Sequence, residues 1–168
     1  MANSKPTPAS VVALGGVLAA LAVVVMSLGT MIPIGTYVCP MLCAVILQLV
    51  LKACGSRIAW AWYGAVALLS MLLAPDKEAA AVFVFLGYYP IVKLRLDKMQ
   101  AKWLWKGLLF NGSVLIMYWL LMHLFGFAYL TEEFSGMGFW MLAVLLILGN
   151  VTFFLLDRLL GMRPKRRK

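Results

Sequence analysis

The densest group of residues able to do chemistry is Asp76-Lys77-Glu78, two carboxylates around one ammonium, set between long apolar runs. A lone cation beside two acids could hold a zwitterionic or anionic solute. The same residues also read as a helix start. Pro75-Asp76 opens a turn, Asp76 caps the next apolar helix, and Glu78 falls in its first turn, where negative charge is favourable. Capping accounts for both acids and leaves Lys77 unexplained, so the two readings stand side by side.

Other reactive groups are scattered. His123 is the one histidine, and Cys39, Cys43 and Cys54 form an odd set with no disulfide framework. Cys39 and Cys43 share a helical face at i, i+4, but neither a histidine nor a further cysteine stands near to complete a tetrahedral site. Their expected role is small apolar packing. Gln48, Asn111 and Asn150 interrupt apolar runs and are expected to hydrogen-bond between helices. No phosphate loop of the G-x-x-x-x-G-K-[ST] kind is present, nor H-E-x-x-H, nor G-x-S-x-G. Glu132-Glu133 resembles the paired glutamates of CAAX-processing intramembrane proteases. The arginine expected four residues on is Met137 here, so proteolysis is not expected. The chain is therefore read as a non-enzyme that needs no cofactor and no metal.

The elements that carry these residues follow from composition. Of 168 residues, 64% are hydrophobic and 12% charged, against roughly 45–50% and about 25% in soluble domains. Such a chain is expected to be an all-α polytopic membrane protein. Apolar runs long enough to span predict six transmembrane helices. They cover residues 11–32, 41–51 (starting as early as Tyr37), 58–74, from Ala79 to about residue 92, 103–125 and 139–160. The first run exceeds a signal-peptide core and lacks a cleavage site. Residues 33–40 read as a Gly/Pro-punctuated loop or broken helix start. The fourth span is short, and Pro90 in Gly87-Tyr88-Tyr89-Pro90 either kinks or breaks it. The organisation expected is a tail over residues 1–10, one six-helix domain over 11–160 and a basic tail over 161–168.

Charge then orients the bundle. With both termini cytoplasmic, all 15 Lys and Arg residues except Lys77 fall inside, while Asp76, Glu78, Glu132 and Glu133 fall outside; this is the positive-inside bias. The formal charge of +9 is thereby assigned to the membrane and not to nucleic acid. Trp60, Trp62, Trp103 and Trp105 lie among the inner basic residues and read as an interfacial belt.

Gly15-x-x-x-Ala19 and Gly16-x-x-x-Ala20 give the first span a small-residue face, which lets helices approach closely. Six short spans, cytoplasmic termini, this face and Pro33-Ile-Gly35…Pro40 after it resemble the substrate-binding (S) components of energy-coupling factor transporters. The glycines depart from that family's more usual Ala-x-x-x-Ala. The resemblance implies a solute-binding subunit of a vitamin or micronutrient importer in the plasma membrane. A membrane coupling protein would be met by Gly15, Gly16, Ala19 and Ala20, and two cytoplasmic ATPases would supply energy. The solute would lie near residues 33–40 (Tyr37 among them), Asp76, Lys77, Glu78 and Glu132-Glu133, with Tyr88 and Tyr89. The alternative is a non-catalytic accessory or scaffold membrane protein.

Overall fold

Backbone in lipid has no water to bond to, so apolar runs close their hydrogen bonds internally as helices. The computed structural model describes residues 8–29, 35–123 and 139–161, and every element among them is helical. The helices are α1 (Pro8–Leu28), α2 (Gly35–Cys54), α3 (Ser56–Leu73), α4 (Lys77–Leu86), α5 (Tyr89–Leu96), α6 (Lys102–His123) and α7 (Phe139–Gly161). Among the described residues, four stretches are long and apolar enough to cross a membrane: Ala9–Leu28, Gly35–Cys54, Ser56–Leu73 and the α4–α5 stretch Lys77–Leu96. At 1.5 Å per residue, twenty residues rise about 30 Å, the thickness of a bilayer's hydrocarbon layer.

Two points that the sequence left open are fixed by the helix bounds. Of loop and helix start, residues 35–40 are the helix start: α2 begins at Gly35, two residues ahead of Tyr37. Pro40 lies inside it, where it removes only the single bond to the Thr36 carbonyl. The early start is possible because α1 and α2 meet glycine to glycine: a β-carbon on Gly35 would overlap the Gly29 backbone. The fourth span is broken, not merely kinked. The Gly87 amide donates to Phe83 O at 2.7 Å to close α4, and α5 begins at Tyr89 with Pro90 in its first turn. A β-carbon on Gly87 would run into the Phe83 carbonyl and ring.

The chain divides into two compact units, Met1–Lys98 and Met99–Lys168. In the first, α1 and α3 run one way and α2 and α4–α5 the other. The Cys54 thiol lies 3.9 Å from Val11 O, the Cys43 thiol donates to Ala22 O at 3.4 Å, and Gly35 abuts Gly29. Paired residue numbers thus fall along α2 as they rise along α1, the mark of antiparallel helices. Between them lies a core of Ala22, Met26, Cys43, Leu47, Val50, Trp62, Val66, Ala79, Ala80 and Phe83. All three cysteines are free thiols and two are buried, which fits packing. Trp62 is a correction to the belt: it is 5% exposed, and its indole N–H donates to Gly15 O at 3.1 Å. Trp60, at 44% exposed, remains at the surface.

In the second unit α6 and α7 are antiparallel. Lys106 meets Asp157, Phe110 stacks on Phe153 with ring centroids 4.6 Å apart, and Asn111 meets Asn150.

Candidate functional site

The Asp76-Lys77-Glu78 corner is built where α3 ends, α4 begins and α2 begins. Its first task is to satisfy helix ends, whose outer amides and carbonyls lack partners within the helix. Asp76 is the N-cap of α4: its Oδ1 accepts the Ala79 amide at 3.0 Å. Its Oδ2 accepts the Thr36 hydroxyl at 2.7 Å, tying α4 to the first turn of α2. The Tyr37 hydroxyl donates to Glu78 Oε1 at 3.3 Å. Lys77 turns back on α3, where its ammonium donates to Met71 O at 2.9 Å and to Leu72 O at 3.4 Å. These are last-turn carbonyls, where a cation is also favoured by the helix dipole. Lys77, which the capping reading left unexplained, is therefore a cap as well, on the opposite kind of helix end.

The corner gathers Tyr37, Asp76, Lys77 and Glu78, as well as Thr36, which sequence reasoning did not single out. It does not gather Tyr88 and Tyr89. Tyr88 comes eleven residues after Lys77, about 16 Å along the helix axis, and packs with Trp60 and Tyr63. Tyr89 is fully buried. Glu132 and Glu133 lie outside the described residues. The small-residue face of α1 is divided. Gly15 is buried, with its carbonyl under the Trp62 indole, and Ala19 packs against the core, whereas Gly16 and Ala20 are exposed. A β-carbon on Gly15 or on Gly16 would meet nothing within 4 Å. Among the described residues no cluster of three His, Cys, Asp or Glu side chains could hold a metal ion.

A second polar group was only half legible. Asn111 and Asn150 exchange reciprocal amide hydrogen bonds at 3.1 Å across α6 and α7. Each also donates one turn back along its own helix, to Gly107 O and Leu146 O, both at 2.9 Å. Sequence reasoning expected such bonding for these two. It missed Lys106 and Asp157, which lie 51 residues apart. The ammonium sits 3.0 Å from both carboxylate oxygens, with the two side chains 4% and 7% exposed. It also lies 5.2 Å from the centre of the Trp103 ring, a cation–π distance. The available signal was position: each charge sits about one turn in from the end of its apolar helix, at the ends that meet when the helices pair antiparallel.

Compared with protein-family models, with characterised proteins and with solved structures, the chain matches none.

Proposed function

We propose that this chain is an integral protein of the plasma membrane that works by binding and not by catalysis: the solute-binding subunit of an ATP-driven importer of a vitamin or micronutrient. Its partners would be a membrane coupling protein and two cytoplasmic ATPases. The observation that carries the reading is the meeting of Thr36 and Tyr37 with Asp76 and Glu78, at 2.7 and 3.3 Å. Two segments, distant in sequence, on which such a subunit would draw for its solute come together at one end of the first unit. Both termini are cytoplasmic in this reading, and the corner faces outward. A solute could drive a cycle only if the loaded and empty forms engage the coupling protein unequally.

A second reading, an accessory membrane subunit without a solute, is favoured by the bonds of Asp76 and Lys77. Both already serve helix ends, so the corner can be complete as a staple. Purification from the native host in mild detergent separates the two. Stoichiometric recovery of two ATPases and a larger membrane protein supports the importer, and recovery with other membrane proteins but no ATPase supports the accessory subunit. Under the importer reading Lys77→Ala lowers uptake of the cognate solute about tenfold, the worth of one charged hydrogen bond, while the protein remains folded. Unchanged uptake removes Lys77 from the solute site.

A further inference from the structure

We propose that the end of the first unit opposite the Asp76 corner is a binding site for the headgroups of anionic phospholipids. The proposal holds under either reading of function and needs only that this unit lies in a bilayer. Three helix ends converge there: α2 finishes at Cys54, α3 begins at Ser56 and α5 finishes at Leu96. The contact of Cys54 with Val11 brings in the first turns of α1. On these ends Lys52, Arg57, Arg95 and Lys98 are all exposed. One acid stands among them, Asp97, and it lies 3.7 Å from the ammonium of the buried Lys93. The four exposed cations therefore present a field that this acid does not balance.

Three further features suit a lipid headgroup, and the second and third select it over a soluble anion. First, α3 starts without a side-chain cap, after Gly55 at φ 86°. Its leading amides are open to an acceptor beside Arg57, and phosphate oxygens suit such a helix start. Second, aromatic rings lie inward of the cations, Trp60 about one turn from Arg57 and Tyr63 and Tyr88 about two turns from Arg57 and Arg95. Trp60 is nearly parallel to Tyr88, 16° between planes and 6.5 Å between centroids, and Tyr63 sets its edge to both at 5.9 and 6.1 Å. Tyr63 is anchored by a hydrogen bond from its hydroxyl to Val84 O. Third, Ile58 and Leu94 are exposed apolar side chains at the same end. Cations at the helix ends, apolar side chains beside them and amphipathic rings beneath match the headgroup and interfacial levels of a leaflet. The opposite end, with Asp76 and Glu78, would repel the same headgroups, so the preference belongs to one leaflet.

The test uses the full-length protein reconstituted in phosphatidylcholine vesicles, with and without phosphatidylglycerol. Flotation with the vesicles first establishes that the chain is in the bilayer; failure to float would overturn the membrane reading itself and, with it, this site. In floated protein, phosphatidylglycerol should raise the thermal midpoint by several degrees, and native mass spectrometry should find it retained. The variant K52Q/R57Q/R95Q/K98Q should lose most of that shift and the retained lipid. A variant with Arg163, Lys165, Arg166, Arg167 and Lys168 all changed to Gln removes more charge and should keep both. If the quadruple variant does not fold, R57Q and R95Q are read singly, each lowering lipid retention. A full shift in the basic-end variants, loss of the shift in the tail variant, or its reproduction by millimolar inorganic phosphate in phosphatidylcholine alone would each overturn the proposal.

Discussion

Asp76 shows how much one side chain can hold. Its two oxygens serve different helices, one capping α4 and the other receiving the Thr36 hydroxyl from α2. Asp76→Ala removes both bonds and is expected to cost about 2 kcal/mol, a cap plus part of a charged hydrogen bond at a partly exposed site. Asp76→Asn keeps an acceptor for the Ala79 amide and should cost less than half as much. Reversible unfolding in detergent distinguishes the pair, and equal losses would mean that the charge, not the cap, matters. The capping role was readable in the sequence, because Pro-Asp ahead of an apolar run has a local cause. The roles of Thr36 and Lys77 were not. Thr36 is paired across 40 residues, and a lysine bonding back over a turn leaves no periodic trace.

At the scale of elements, helix positions were largely legible because a membrane span needs a long apolar run. The ends of α3, α6 and α7 fall within about two residues of expectation wherever they are described. The start of α2 was left open between Tyr37 and Met41 because Gly35 and Pro40 punctuate the sequence without ending the helix; only the approach of Gly29 reveals why glycine stands at 35. Trp60 and Trp62 look alike in sequence, yet two residues turn a side chain by roughly 200° around a helix, and one is core. The α6–α7 pairing allows a comparison of magnitudes. Removing either Lys106 or Asp157 alone strands a buried charge and is expected to cost about 3–5 kcal/mol, whereas Lys106→Met with Asp157→Met should lie near wild type. Breaking the Asn111–Asn150 pair should cost nearer ~0.6 kcal/mol. A double-mutant cycle on unfolding free energies measures this, and additive single losses at Lys106 and Asp157 would show that the pair does not act as a unit.

At the scale of the whole molecule, charge asymmetry was the clearest message of the sequence, and the first unit gives it a shape. One end carries Lys52, Arg57, Arg95 and Lys98 and the other the Asp76 corner, with α2, of 20 residues, running between them. Sidedness is therefore testable with two exposed positions. In a chain whose native cysteines are replaced by alanine, a cysteine at Pro75 should react with an impermeant maleimide in intact cells. One at Arg57 should react only after lysis, and the reverse pattern would invert the topology. Hydropathy locates the described helices but does not say which packs on which, so it carries no trace of the division into two units.

The hairpin of α6 and α7 has a mechanical consequence. A single polar contact between two helices leaves them free to swivel about it. The contacts at Lys106–Asp157 and at Asn111–Asn150 lie at different depths, about 7 Å apart along α6, and both would have to open before either helix could slide by a turn. Two pins remove the swivel that one pin allows. Motion of this part of the protein should therefore carry the two helices together where these contacts join them.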